Sequence, residues 1–193
     1  MSKRKKKIGV LAIQGDFAAH EKMLKCIGIE PVEIRRADEM ANVEGLIIPG
    51  GESTTMIKFL TEEKLVKPIL DFAKAGKPIF GTCAGAILLA QQVSNPSQPS
   101  LGLLDIEIER NAYGRQVDSF IGEIDTTMEG GEMEAVFIRA PRIKTVGKDV
   151  KVIATHNGEP VMVREGNIFA ATFHPELTND ERAHRLFSES VSP

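Results

Sequence analysis

Residues 77–90 read Lys-Pro-Ile-Phe-Gly-Thr-Cys-Ala-Gly-Ala-Ile-Leu-Leu-Ala. A short apolar strand starting at Lys77-Pro78-Ile79-Phe80 runs into Gly81-Thr82-Cys83-Ala84-Gly85, and the apolar stretch from Ala84 to Val93 has the length of a helix. Strand, tight turn and helix in direct succession form the repeating unit of a parallel α/β sheet. Gly-x-Cys-x-Gly is the thiol counterpart of the nucleophile elbow, in which small flanking residues let the chain turn sharply. Cys83 then stands at the carboxyl end of a strand, where open α/β sheets place their sites. The free N–H groups of the following helix point at its sulfur.

The same alternation extends outward. Ile8 to Ile13 is a continuous apolar run, as expected of a strand covered on both faces. Asp16 to Gly28 has helical spacing, with Asp16 as a candidate cap and Gly28 as a stop. Pro31 to Ile34 and Gly45 to Ile48 are further strands, the second stopped by Pro49-Gly50-Gly51. Ser53 to Phe59 and Glu63 to Ala75 read as helices with a break near Thr61, and Gly76 suits the end of the second. Ser94 to Ser100 is a polar connector. Beyond it Asp105 to Glu109 and Phe120 to Ile124 alternate with period two, the mark of strands with one wet face. Ala135 to Ile138, Val150 to Ala154, Pro160 to Val163 and Ile168 to Phe173 are further strands, and Asn179 to Ser190 a closing helix capped by Asn179 or Thr178. The sum is a mostly parallel α/β core with an antiparallel extension.

Composition sets the outer limits. A chain of 193 residues that is 42% hydrophobic and 26% charged suits one globular domain, here 8–193 behind a basic tail at 1–7. The net charge of −3 is no footprint of a nucleic-acid binder. The basic run Lys3 to Lys7 reads as a solvated arm, with a nucleic-acid or membrane-surface arm as the other reading. No apolar run is long enough for a signal peptide or a membrane span, and two cysteines without a CxxC pattern exclude a disulfide scaffold. A cytoplasmic protein with free thiols is the simplest expectation.

Three segments carry candidate chemistry. An ordinary thiol is only about 3% thiolate at pH 7, and lowering its pKa by two units takes about 2.7 kcal/mol, more than the ~2 kcal/mol at most that a helix N-terminus supplies. A nucleophilic Cys83 therefore needs a basic or cationic partner; without one it is a small buried hydrophobe. Cys26, mid-helix among apolar residues, reads as packing. Of four histidines, His20 and His184 fall within helices, where surface or interface positions are usual, and His156 falls in a hairpin turn. His174 ends an apolar strand and is followed by Pro175-Glu176. In an extended segment Glu176 lies on the same side as His174 and can orient its ring, as the third member of a triad does; a plain strand end is the alternative. In Pro49 to Thr55 the glycine pair Gly50-Gly51 can present backbone N–H groups to an oxyanion, or the segment forms a plain turn with a Ser53 cap; the Gly-x-x-x-x-Gly-Lys of a phosphate loop is absent. Arg110, Arg115 and Arg139 can grip a carboxylate or make surface ion pairs.

Taken together, the segments IGVLAIQGDFAAH (8–20), GLIIPGGESTT (45–55), GKPIFGTCAGAILLA (76–90), LGLLDIEIERNAYGRQVDSF (101–120), AVFIRAP (135–141) and ATFHPELTNDERAHRLF (171–187) resemble class I glutamine amidotransferases. More narrowly, they resemble the glutaminase subunits of pyridoxal 5′-phosphate synthase. The resemblance implies a flavodoxin-like three-layer sandwich and glutamine hydrolysis through a glutamyl thioester. It implies Cys83 as nucleophile, with His174 and Glu176 completing the triad. Gly50, Gly51, Glu52, Ser53 and Ala84 would bind glutamine and its oxyanion, and Arg110, Ile138 and Arg139 would contact glutamine. Gln14 and His20 would lie at the contact with a synthase subunit, in a hetero-oligomer with glutaminase subunits docked on a synthase core. No metal or cofactor is implied, pyridoxal 5′-phosphate being the product of the complex. The competing readings are an amidotransferase subunit of another pathway and a non-catalytic binding module on the same fold.

Overall fold

The structure is a computed structural model and describes residues 6–112 and 119–192. Arg115 and the segment around it, together with Lys3 to Lys5, lie outside the described residues. The strands are β1 (Lys7–Leu11), β2 (Glu30–Ile34), β3 (Gly45–Ile48), β4 (Ile79–Thr82), β5 (Ala90–Ser94), β6 (Leu104–Glu109), β7 (Ser119–Thr126), β8 (Met133–Ile138), β9 (Arg142–Val146), β10 (Lys151–His156), β11 (Glu159–Glu165) and β12 (Ile168–Ala171). The helices are α1 (Phe17–Cys26), α2 (Ser53–Glu62), α3 (Val66–Lys74), α4 (Ala84–Leu89) and α5 (Arg182–Glu189). Two 3-10 turns, Ala37–Asn42 and Pro175–Leu177, join elements.

The main sheet runs in the order β2-β1-β3-β4-β12-β11-β10-β7-β8. Its first five strands pair in parallel, and the sheet turns antiparallel from β12 to β8. The parallel half has the flavodoxin-like order, with a reversal beside β1. Its apolar runs are continuous because both faces are covered. Leu46, Ile48, Ile79, Ile168 and Ala170 enter the core beneath α2, α3 and α4, while Ile47, Phe80, Phe169 and Ala171 enter the core beneath α1 and α5. No helix among the described residues is long and apolar enough to cross a membrane.

Several local expectations are corrected. The stretch Ala84 to Val93 is not one helix: α4 ends at Leu89, and Ala90–Ser94 is a strand pairing in parallel with β6. With β9, which the sequence reading omits, these strands form a separate three-stranded sheet. An unbroken apolar run satisfies a buried helix and a buried strand equally, and packing against β6 decides. The break between α2 and α3 falls at Glu63 to Leu65, where Lys64 has φ +56°, rather than near Thr61. Asp16 precedes α1 but makes no side-chain cap. Neither Asn179 nor Thr178 caps α5; the Asp180 carboxylate accepts the Arg182 N–H instead. Lys7 already belongs to β1, and Lys6 donates from Nζ to the Ser188 carbonyl oxygen, so this end of the basic run is part of the fold. Cys26 closes α1 and is exposed, not packed.

The elbow is locked from both sides. Cys83 N–H donates to the Ala171 carbonyl oxygen of β12 at 2.8 Å. Gly85, on the other side, lies so close to β3 that a Cβ there would stand 2.0 Å from the Ile48 carbonyl oxygen. A backbone carbonyl in a parallel ladder cannot retreat, so α4 must move instead. Gly85→Ala should lower the unfolding free energy by about 1–3 kcal/mol, in the range of overpacked cores. Urea titration checks this; an unchanged midpoint would mean that α4 is free to lift off β3.

Candidate active site

Three strand ends build the site. Cys83 follows β4, the Pro49–Ser53 loop follows β3, and His174 follows β12. The strands are adjacent and parallel, so their carboxyl ends meet on one edge of the sheet. Cys83 sits at φ +49°, ψ −106°, a region that a non-glycine residue occupies at a cost of roughly 1–3 kcal/mol and that recurs at functional sites. Arg139, on the opposite wall, also has a positive φ, of +42°.

His174 hangs from the antiparallel half of the sheet, its N–H donating to the Val136 carbonyl oxygen of β8 at 2.8 Å. Its Nδ1 lies 2.7 Å from Glu176 Oε1, and both side chains are buried. The pairing is as expected but its cause differs. His174 is not followed by extended chain; the 3-10 turn Pro175–Leu177 folds Glu176 back onto the ring. On the other side of the ring, Nε2 is buried and makes no hydrogen bond of ordinary geometry, which leaves it as the atom turned to Cys83. Burial alone would lower the His174 pKa. The Cys83 side chain and the Glu176 carboxylate outweigh it and raise it to about 10. Cys83 Sγ lies 3.8 Å from the Ile138 carbonyl oxygen.

Gly50 meets this pair at its closest. A Cβ on Gly50 would stand 2.6 Å from His174 Cε1 and 3.3 Å from Cys83 Cβ, so only glycine lets the loop backbone reach the sulfur. The cap of α2 is Glu52 and not Ser53. The Glu52 carboxylate accepts from the N–H groups of Thr54 and Thr55 and from Thr55 Oγ1. Burial would raise that carboxyl, but the hydrogen bonds from Thr55 and Thr54 hold it down at about 2. Ser53 is buried and donates from Oγ to Gln98 Oε1 at 2.9 Å. The connector 94–100 thus braces the site, a role its polar composition did not reveal.

A cleft of about 260 Å³ opens onto Cys83, slightly below the 300 Å³ at which drug-sized pockets begin and suited to an amino acid. It brings together Gly50, Gly51, Glu52, Ser53, Ala84, Arg110, Ile138 and Arg139 with Cys83 and His174. Arg110 donates from Nη2 to Thr54 Oγ1 at 2.9 Å and approaches Glu52 Oε1 at 3.4 Å. Arg139 is exposed and makes no hydrogen bond or ion pair among the described residues. Sequence reasoning missed Asp16, Ile87 and Asn111 on the cleft wall. Asp16, His174 and Glu176 present atoms within 4.8 Å of one another that a cation would accept, but His174 and Glu176 already bond each other.

The two expected partner-contact residues separate. Gln14 is half-buried, and its Oε1 accepts the Glu52 N–H at 3.2 Å, tying the loop after β1 to the loop after β3. His20 is fully buried beneath the site, so its ring cannot meet another protein; His184, also expected near the surface, is equally buried. Both helices carry charged residues beside the histidine, which makes them look like surface elements, and nothing in their spacing signals a polar contact between the two rings.

A protein of Solibacter usitatus named pyridoxal 5′-phosphate synthase subunit PdxT is 52% identical over 188 residues, which cover 94% of this chain and 97% of that one. A protein of the same name from Koribacter versatilis is 53% identical over 188 residues, covering 96% and 95%. A crystal structure described as a glutamine amidotransferase superposes with a TM-score of 0.89 at 46% identity, covering 95% and 97%. With its sequence matching from residue 10 to residue 192, the chain belongs to the SNO glutamine amidotransferase family.

Proposed function

We propose that this chain, as one glutaminase domain over 8–193, hydrolyses L-glutamine to L-glutamate and ammonia and delivers the ammonia to the synthase subunit of a pyridoxal 5′-phosphate synthase. One observation carries the chemistry: a cysteine on a strained elbow faces a histidine ring whose far nitrogen is held by a buried glutamate at 2.7 Å. The relatives named PdxT, at about half identity over nearly the whole chain, support the pathway.

In this reading Cys83 attacks the side-chain amide carbon of glutamine. N–H groups of Gly51 and Ala84, at the mouth of the cleft, stabilise the oxyanion. Charged His174 protonates the leaving ammonia, and a thioester links Cys83 to the glutamyl group. Acylation removes the sulfur's negative charge, and with it one of the two interactions that raise His174. Having given its proton to ammonia, the ring is neutral, and the lost interaction keeps it so until it takes a proton from the water that releases glutamate. Arg110 and Arg139 face the substrate's carboxylate end. Gln14 links this loop to the surface after β1, so a docked synthase subunit that shifts Gln14 resets the N–H groups of Gly51 and Glu52.

Three outcomes test the reading. Glutamate release should rise strongly on addition of a pyridoxal 5′-phosphate synthase core and fall at least about 10³-fold in Cys83→Ala, whereas no release with that core would leave only a binding module. Arg139→Ala should raise KM for glutamine by about 10–100-fold with little change in kcat, as expected for loss of a charge-assisted contact. Activity should persist through neutral pH and fall as pH rises through about 10, where His174 loses the proton it gives to ammonia. A pH–rate profile that falls already near 7 would show that Cys83 and Glu176 do not hold the ring protonated.

A further inference from the structure

Behind Glu176 lies a second polar chain with no access to solvent. His20 of α1, His184 of α5 and Thr82 at the end of β4 are all fully buried. His20 Nδ1 is 2.9 Å from His184 Nε2, and His20 Nε2 is 3.1 Å from Thr82 Oγ1. The same Nε2 is 3.4 Å from Glu176 Oε2, the carboxylate oxygen that His174 does not use. No described residue gives Oε2 a hydrogen bond of ordinary geometry, which leaves His20 as the group facing it.

The direction of this chain follows from counting protons. Burial, then the neighbouring His184 and His174 rings, push the His20 pKa well below its ordinary value, and burial takes His184 down to about 3. Each ring is therefore neutral at pH 7 and carries one proton. If Thr82 donated to His20 Nε2, a bare nitrogen would face a buried carboxylate oxygen. His20 would then donate from Nδ1 to His184, whose own Nδ1–H is buried without an acceptor. The opposite direction has neither fault. His184 Nε2–H donates to His20 Nδ1, and His20 Nε2–H is shared between Thr82 Oγ1 and Glu176 Oε2. It leaves a bare His184 Nδ1 and the Thr82 O–H without a partner among the described residues, but a lone pair is a lesser loss than a buried N–H, and the carboxylate oxygen keeps a donor facing it.

We propose that His20 is a positioning residue for Glu176: its Nε2–H, fixed in that tautomer by His184, steadies the free carboxylate oxygen so that the other oxygen meets His174 Nδ1. At 3.4 Å the contact is long, as such bonds often are before substrate arrives. As a role in catalysis this rests on the proposed glutaminase function, while the tautomer stands independently of it. His20 never touches substrate and acts only through Glu176.

Long-range ¹H–¹⁵N spectra of the full chain at pH 7 should show His20 and His184 neutral with the proton on Nε2; a proton on His20 Nδ1 overturns the proposal, whatever the enzyme's activity. Two variants add the kinetic side, assayed with the synthase subunit. His20→Met removes the donor at similar volume and should lower kcat at least 10-fold with KM for glutamine changed less than twofold. His20→Gln returns an N–H to that place and should recover most of the loss. Equal losses of thermal stability in both variants, with kcat unchanged, would make His20 merely structural and overturn the proposal. Absence of wild-type glutaminase activity would count against the proposed function alone.

Discussion

The backbone of Cys83 is the constraint around which the site is arranged. A residue at φ +49° persists only where its neighbours over-determine it. Here β12 holds the Cys83 N–H, and the first turn of α4 presses directly on the β3 carbonyl at Ile48. The register of three parallel strands thereby fixes the direction of one sulfur. The double-faced core of Phe80, Phe169, Ile48 and their neighbours supplies the rigidity that keeps the elbow from relaxing.

Most of the charge around that sulfur is paired. His174 is held positive between Cys83 and Glu176, and Glu52 is held negative by the first turn of α2 with Arg110 beside it. Glu52 therefore works first as a helix cap, and its place on the cleft wall follows from that capping. Arg139 is the cation left open at the mouth. The antiparallel half of the sheet has a specific part in this, since β8 anchors His174, ends in Ile138 and leads directly into Arg139.

Much of this was legible in the sequence. Apolar runs such as Gly45 to Ile48 gave away strands buried on both faces, and Gly81 to Gly85 announced the elbow because few other arrangements need glycines two residues either side of a cysteine. The residues expected to bind glutamine came from resemblance to a family, and one cleft gathers them. What stayed hidden depended on long-range contacts. Ala90–Ser94 is a strand only because β6 lies beside it, and Gln98 matters only because Ser53 folds against it. Ser53 looked like the cap because its residue type favours that place, yet Glu52 has the longer reach to two N–H groups. His20 and His184 are separated by 164 positions along the chain, and no local pattern reports their contact.

Lys6 reaches from the start of β1 to the Ser188 carbonyl oxygen near the end of α5. The first and last described segments therefore lie side by side at the amino-terminal edge of the parallel strands, opposite the edge that carries Cys83. A tether or fluorophore attached to either one would project away from the cleft, so the molecule can be immobilised by that edge with its mouth open to solution.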